Sequence, residues 1–287
     1  MKSNNTEELA FEDELIEYLQ HVGASRQWKY EEEIKTTNQL WANFRKILEQ
    51  NNQDKLDGKP LSDTEFSQVK KQIESLDNPY KAGIFLYGVG GKSQVSVERD
   101  EDGKSVILTV FDQDKIGGGN TVYQMVNQIQ RDPVISGKKP RRFDVTLLIN
   151  GLPIIQIEEK RDSISTDKAF NQMKQYLSER QYSGIYSTLQ IIVGMTRNEI
   201  RYMALPNDAD HFNTDFAFEW QDEKTNRPIH DWQVFASKVL SIPMAHQLAT
   251  NYMILDGTPY HQMIKVMRPY QAVSYTHLRA HETDQYL

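Results

Sequence analysis

The chain has 287 residues, 38% of them hydrophobic and 25% charged, with a net charge of −7 and no cysteine. That suits one large globular domain, or one domain with a fragment of a second, and it excludes disulfides and thiolate zinc sites. No apolar run is long enough to span a bilayer, and the acidic start MKSNNTEELAFEDE is no signal peptide, so a cytoplasmic protein without membrane contact is expected. A self-sufficient nucleic-acid binder is more often basic, so any DNA contact must rest on local patches or on partners.

Phe11 to Val22 carries apolar residues at 11, 15, 16, 18, 19 and 22, which is helical spacing. Gly23 follows where a C′ glycine belongs. Glu12 could reach a metal site if this helix packs beside the hairpin described below. Its ordinary reading is a first-turn glutamate favoured by the helix dipole. Trp28 to Lys35 is mixed and charged. Asn38 to Asn51 predicts a second helix with Leu40, Trp41, Phe44, Ile47 and Leu48 on one side. Asp54 to Pro60 reads as a loop, and Ser62-Asp63-Thr64-Glu65 caps a third helix ending near Leu76.

Lys81 to Asn120 reads as β-rich, with Ile84 to Tyr87 as one strand. Gln94 to Arg99 and Ser105 to Phe111 flank Asp102-Gly103, a hairpin signal. Gly90-Gly91-Lys92-Ser93 ends like a phosphate-binding loop, but Leu86 stands where its first glycine belongs and QVSVER alternates like a strand. Gly117-Gly118-Gly119 marks a flexible loop, and Tyr123 to Ile129 reads as a strand.

Four cations, Lys138, Lys139, Arg141 and Arg142, then lead into Asp144. They read equally as a strip for DNA phosphates and as a solvated loop. Phe143 to Lys160 (FDVTLLINGLPIIQIEEK) reads as two apolar strands around Asn150-Gly151, hence a buried hairpin. Alternation puts Glu158 and Lys160 on one face and points Glu159 away. With a regular two-residue turn, Asp144 would share a face with Glu159. An irregularity near Pro153, which cannot donate to the ladder, moves Asp144 opposite Glu158 and is predicted here. Two carboxylates and a lysine at a hairpin end form a Mg2+ site suited to cutting a phosphodiester. The chain's other E-x-K or D-x-K triplets, at 33–35, 102–104 and 222–224, lack such a buried setting.

Ser165 or Thr166 caps a helix to about Arg180, with Ala169, Gln172, Met173 and Tyr176 on one face. Leu189 to Met195 is a buried strand and Glu199 to Leu205 another. Asp208 to Pro228 is loop-rich, Trp232 to Leu240 a helix, and Met244 to Met253 helical.

Asp144, then Glu158-x-Lys160, then Gln172-x-x-x-Tyr176 resembles the PD-(D/E)xK nuclease pattern with its downstream QxxxY motif. With LWANFRKILEQNN, PLSDTEF, VNQ at 126–128 and FDVTLLINGLPIIQIEEKR, the text resembles the restriction (motor) subunit of type I restriction-modification enzymes. Phe143 stands where the family often has proline. Met267-Arg268-Pro269-Tyr270-Gln271 resembles an RPYQ element whose glutamine, Gln271, reads the adenine of ATP. The resemblance covers about residues 8 to 271.

It implies an α/β (α+β) fold with a restriction-endonuclease-like core, a central mixed sheet flanked by helices. Residues 1–260 would be the nuclease domain and 261–272 the start of a truncated helicase/ATPase domain; separately, 273–287 resembles translated sequencing-adapter read-through, a foreign tail in which His277 and His281 are assigned no role. The family resemblance further implies Mg2+ held by Asp144, Glu158 and the backbone carbonyl of Glu159, with Lys160 orienting the attacking water. Gln172 and Tyr176 would position DNA or the lysine. ATP would serve the complete protein, and the partners would be double-stranded DNA and the methyltransferase and specificity subunits. The rivals are a non-catalytic docking module of the same complex and a freestanding DNA nuclease of the same fold.

Overall fold

A computed structural model describes residues 2–23, 26–222, 224–258, 261–268 and 271. Pro269, Tyr270 and the tail from 273, with His277 and His281, lie outside them. The first helix, α1 (Lys2–His21), is longer than its apolar pattern and is followed by Gly23 at φ 107°. A short strand β1 (Lys29–Tyr30) leads to α2 (Thr37–Asn51) and α3 (Asp63–Glu74). Each of these two helices begins in a capping box, Thr36 with Gln39 and Ser62 with Glu65, which satisfies backbone donors that a helix start leaves free. Helix α2 buries the five apolar residues expected of it.

The strand expected at Ile84 to Tyr87 is instead the end of α4 (Pro79–Tyr87). Asn78 accepts from the Lys81 amide and Pro79 occupies the first turn, so the start signal lies before the apolar run. Strands β2 (Lys92–Glu98) and β3 (Ser105–Asp112) form the hairpin around Asp102-Gly103. Lys92 opens a strand, so no phosphate-loop helix follows Gly91.

The main sheet uses β1, β4 (Tyr123–Arg131), β5 (Arg141–Ile149), β6 (Leu152–Glu159), β7 (Ile191–Met195) and β8 (Ile200–Ala204), in the order β1-β4-β5-β6-β7-β8. The β1–β4 and β6–β7 pairs are parallel and the others antiparallel, so the sheet is mixed. Between β6 and β7, α5 (Asp167–Ser178) packs on both strands. A Cβ on Gly194 of β7 would stand 2.9 Å from the Phe170 ring and 3.3 Å from Ala169 Cβ. Only glycine lets this helix sit so close. Helix α1 lies against β1 and β6.

Helix α6 (Trp232–Phe235) runs on as a π-turn over Ala236–Leu240. Helix α7 (Met244–Ala249) is shorter than expected, because Met253 opens β9 (Met253–Thr258), which pairs with β10 (His261–Val266). Leu255 and Ile264 of this hairpin meet α4 at Gly83. The hairpin joins residues on either side of position 260. Among the described residues no helix is long and apolar enough to cross a membrane.

Candidate active site

The hairpin that carries the site has the predicted irregularity. Asn150 and Gly151 lie at φ 50° and 82°, as a two-residue type I′ turn requires. A Cβ on Gly151 would also stand 2.8 Å from Phe44 Cα, so α2 presses on this turn. Ile149 pairs with Leu152 and Leu148 with Pro153, but Leu147 pairs with Ile155. Ile154 is the extra residue of a bulge beside Pro153. Val145 therefore pairs with Ile157, and the next step in this register sets Asp144 across from Glu158.

Asp144, Glu158, Glu159, Lys160, Gln172 and Tyr176 all line one cleft of about 260 Å³. Lys160 Nζ donates to Glu158 Oε1 at 3.2 Å and lies 4.0 Å from Asp144 Oδ2. It also donates to the Glu159 carbonyl at 2.7 Å. The Glu159 amide donates to Asp144 Oδ2 at 3.0 Å, tying the two strands where their ladder ends. From α5, the Gln172 amide bridges Glu158 Oε1 and the Tyr176 hydroxyl, which donates to the Arg142 carbonyl at 3.3 Å. The i, i+4 pair thus fixes Glu158.

Burial, then the charge of Asp144, pushes the Glu158 carboxyl well above its ordinary range, with Lys160 opposing. Burial and Asp144 do the same to Glu159, with Glu12 next. For Lys160, burial pulls the ammonium down, but Glu158 and Asp144 outweigh it and the net shift is upward. Glu158 Oε2 and both Glu159 carboxylate oxygens are buried without a hydrogen-bond partner. Such groups are costly unless something cationic or donating meets them.

Beneath the carboxylates, Phe143 packs against Tyr176, Tyr182 and Tyr186 at centroid distances of 4.9, 5.5 and 4.9 Å. The aromatic ring at the position before Asp144 is therefore a packing residue of the site floor.

The sequence pattern raised Glu12 but favoured its surface reading, and it missed Gln128, which donates to it. Glu12 is buried, not a surface first-turn residue; it accepts from Asn127 Nδ2 at 2.7 Å and from the Gln128 amide. Burial and then Asp144 raise its pKa to about 7. Gln128 lines the cleft. The signal in the sequence was Asn127-Gln128, two adjacent polar residues between the buried Val126 and Ile129.

Of the cationic strip, Arg141 is held by Glu179 through two bonds of 2.5 and 2.6 Å. Arg142 is exposed at the cleft rim, and Lys138 and Lys139 are exposed outside its lining. Gln271 is also outside the lining; its side chain accepts from the Arg268 amide at 2.9 Å.

Among the described residues no group of three or more His, Asp or Glu side chains is arranged to hold a metal. The Asp144–Glu158 pair still fits Mg2+, which takes one or two carboxylates and keeps several waters. The partnerless, buried Glu158 Oε2 is the observation that makes the fit.

Residues 4–211 match the model of the Type I restriction enzyme R protein N terminus family. Similar curated proteins include the endonuclease subunit of a type I restriction enzyme from Staphylococcus aureus strain COL, 32% identical over 264 residues, which covers 92% of this chain and 26% of that protein. A counterpart from Staphylococcus saprophyticus is 32% identical over 270 residues, with the same coverage. The EcoprrI endonuclease subunit of Escherichia coli is 31% identical over 150 residues, covering 52% of this chain and 45% of that protein. The chain thus spans about a quarter of the length of the staphylococcal relatives. From these matches, the chain belongs to the type I restriction enzyme R protein N-terminal family.

Proposed function

We propose that this chain is the nuclease module of an ATP-dependent type I restriction subunit, cutting double-stranded DNA with the help of Mg2+. The observation that carries the reading is Glu158 Oε2, buried without a donor beside Asp144 and Lys160 in an open cleft. Asp144 and Glu158 would hold the ion, with the Glu159 carbonyl as a further oxygen. When bound, Mg2+ supplies an acidified water and a positive charge against the scissile phosphate.

The chain's own residues do the rest. Lys160 keeps its proton, so it orients the water and meets the negative charge that develops on the phosphate. Gln172 occupies Glu158 Oε1 and leaves Oε2 for the ion. Tyr176, held protonated by burial and by Glu158, fixes Gln172 in turn. Arg142, Lys138 and Lys139 offer phosphate contacts at and beyond the rim.

In this reading residues 1–260 are the nuclease unit and 261–272 open the ATPase unit, where Gln271 reads adenine. Methyltransferase and specificity subunits complete a cytoplasmic complex, and sequence recognition lies with them. The test is Lys160→Ala in the full-length subunit within its complex. DNA cleavage is expected to vanish while ATP hydrolysis persists. Cleavage retained by the variant would overturn the assignment.

A further inference from the structure

Strand β4 pairs with β5 in one unbroken register, Asn127 with Val145 and Ile129 with Phe143, so Gln128 stands opposite Asp144, where no ladder pair forms. Gln128 lies at φ 56°, in the left-handed region that a glutamine rarely adopts. A residue held in this conformation inside a sheet marks a place where the surroundings force a side chain to a particular spot. Here the spot is the wall of the cleft that contains Asp144 and Glu158.

Two contacts fix the amide. Its Nε2 donates to Glu12 Oε2, and the other Glu12 oxygen is taken by Asn127. Glu12 has both oxygens engaged and serves as a clamp from α1 onto β4. Gln128 Oε1 remains buried, with no hydrogen-bond partner. This atom is an acceptor on a residue that lines a site rich in acceptors. A DNA phosphate brings no donor to it, and Lys160 is committed to Glu158 and the Glu159 carbonyl. The donor that enters such a cleft is water, most strongly when it is polarised by a divalent cation.

We propose that Gln128 is a positioning residue of the cleft, its amide oxygen accepting a hydrogen bond from water carried in the hydration shell of a divalent cation. The proposal rests on the Mg2+ reading of the Asp144–Glu158 pair. It assigns Glu12 the role of holding Gln128, and it explains why β4 keeps a left-handed glutamine at this point.

The decisive variant is Gln128→Asn. Asparagine tolerates the left-handed region better than glutamine, and its shorter side chain withdraws the oxygen. Calorimetric titration of the chain with MgCl2 would be run beside thermal melting, with Gln128→Met and Asp144→Ala in parallel. Gln128→Asn is expected to keep a cooperative melt, the relieved backbone offsetting the lost Glu12 bond, yet bind Mg2+ roughly three- to tenfold more weakly. Gln128→Met, which keeps the length and removes the acceptor, is expected to weaken binding to the same degree. A merely structural role predicts unchanged affinity in Gln128→Asn. If both Gln128 variants bind within twofold of wild type while Asp144→Ala abolishes binding, this proposal fails and the metal site stands. If Asp144→Ala binds as wild type does, the metal reading fails and takes the proposal with it.

Discussion

Single residues with the same chemistry have different duties in the strip before Asp144. Arg141 is locked to the buried Glu179 by two short bonds, so it supports the fold. Arg141→Ala is expected to lower unfolding stability by about 1 kcal/mol, as seen in urea titrations. Lys138 and Lys139 are exposed. Replacing both with alanine should leave stability unchanged, weaken duplex binding in fluorescence anisotropy, and reduce the salt slope by about 2. An unchanged slope would mean that the two lysines sit in a solvated loop. Sequence could not divide these four cations, because the dividing feature is Glu179, 38 residues beyond Arg141. It also undervalued Glu12, whose importance depends on α1 lying against β1 and β6, where Glu12 meets Asn127 and Gln128. No local pattern reports that placement. Asp144, Glu158, Lys160, Gln172 and Tyr176 were legible because Pro153 signals the irregularity that sets the two carboxylates opposite each other, and because the order and spacing of the five resemble a known nuclease pattern.

At the level of elements, the hairpin from β5 to β6 was read in detail because its chemistry is local. Asn150-Gly151 sets the turn, and Pro153 withholds a donor beside the bulged Ile154. Helix α4 was misread for the same kind of reason. The apolar run from Ile84 to Tyr87 has no period of its own, and the helix signal sits upstream at Asn78-Pro79. The seat of α5 on β7 depends on Gly194. Gly194→Ala would force a methyl into the Phe170 ring and is expected to destabilise the protein by about 1–3 kcal/mol. Because α5 carries Gln172, it should also loosen the grip on Glu158. Urea unfolding measures the first effect and Mg2+ calorimetry the second. Wild-type stability in this variant would show that α5 does not rest on the sheet as described.

For the whole molecule, the sheet class was legible but its order was not. The parallel pairs β1–β4 and β6–β7 join distant segments, and neither strand of such a pair names its partner. Distant segments also meet at His246, whose Nδ1 lies 2.8 Å from the Tyr123 hydroxyl. Burial lowers its pKa from an ordinary 6.5 to about 4. The folded state thus prefers the neutral ring. Its contribution is complete above pH 6.5, is lost as pH falls from 6.5 toward 4, and changes no further below that. The loss amounts to about 3 kcal/mol across this window. Glu12 runs the opposite way: with a folded pKa near 7, it favours the folded state at low pH and loses that contribution as pH rises from 4.5 through 7. Comparing His246→Phe with wild type isolates the histidine. The variant's urea midpoint should fall less between pH 6.5 and 4, and identical slopes would rule the titration out.

The bulge at Ile154 also determines which mutations this region can survive. Asp144 and Glu158 are fourteen positions apart, and the bulged Ile154 between them sets the parity of everything that follows in β6. Substitutions along the hairpin leave that parity alone. Gain or loss of one residue inverts it and trades Glu158 for a neighbour on the wrong face. Length changes here are therefore tolerable in pairs, or when the bulge itself is created or erased in compensation. Drifting descendants of this sequence should keep glycine at position 151 and keep an even separation between the two carboxylates wherever the bulge is retained.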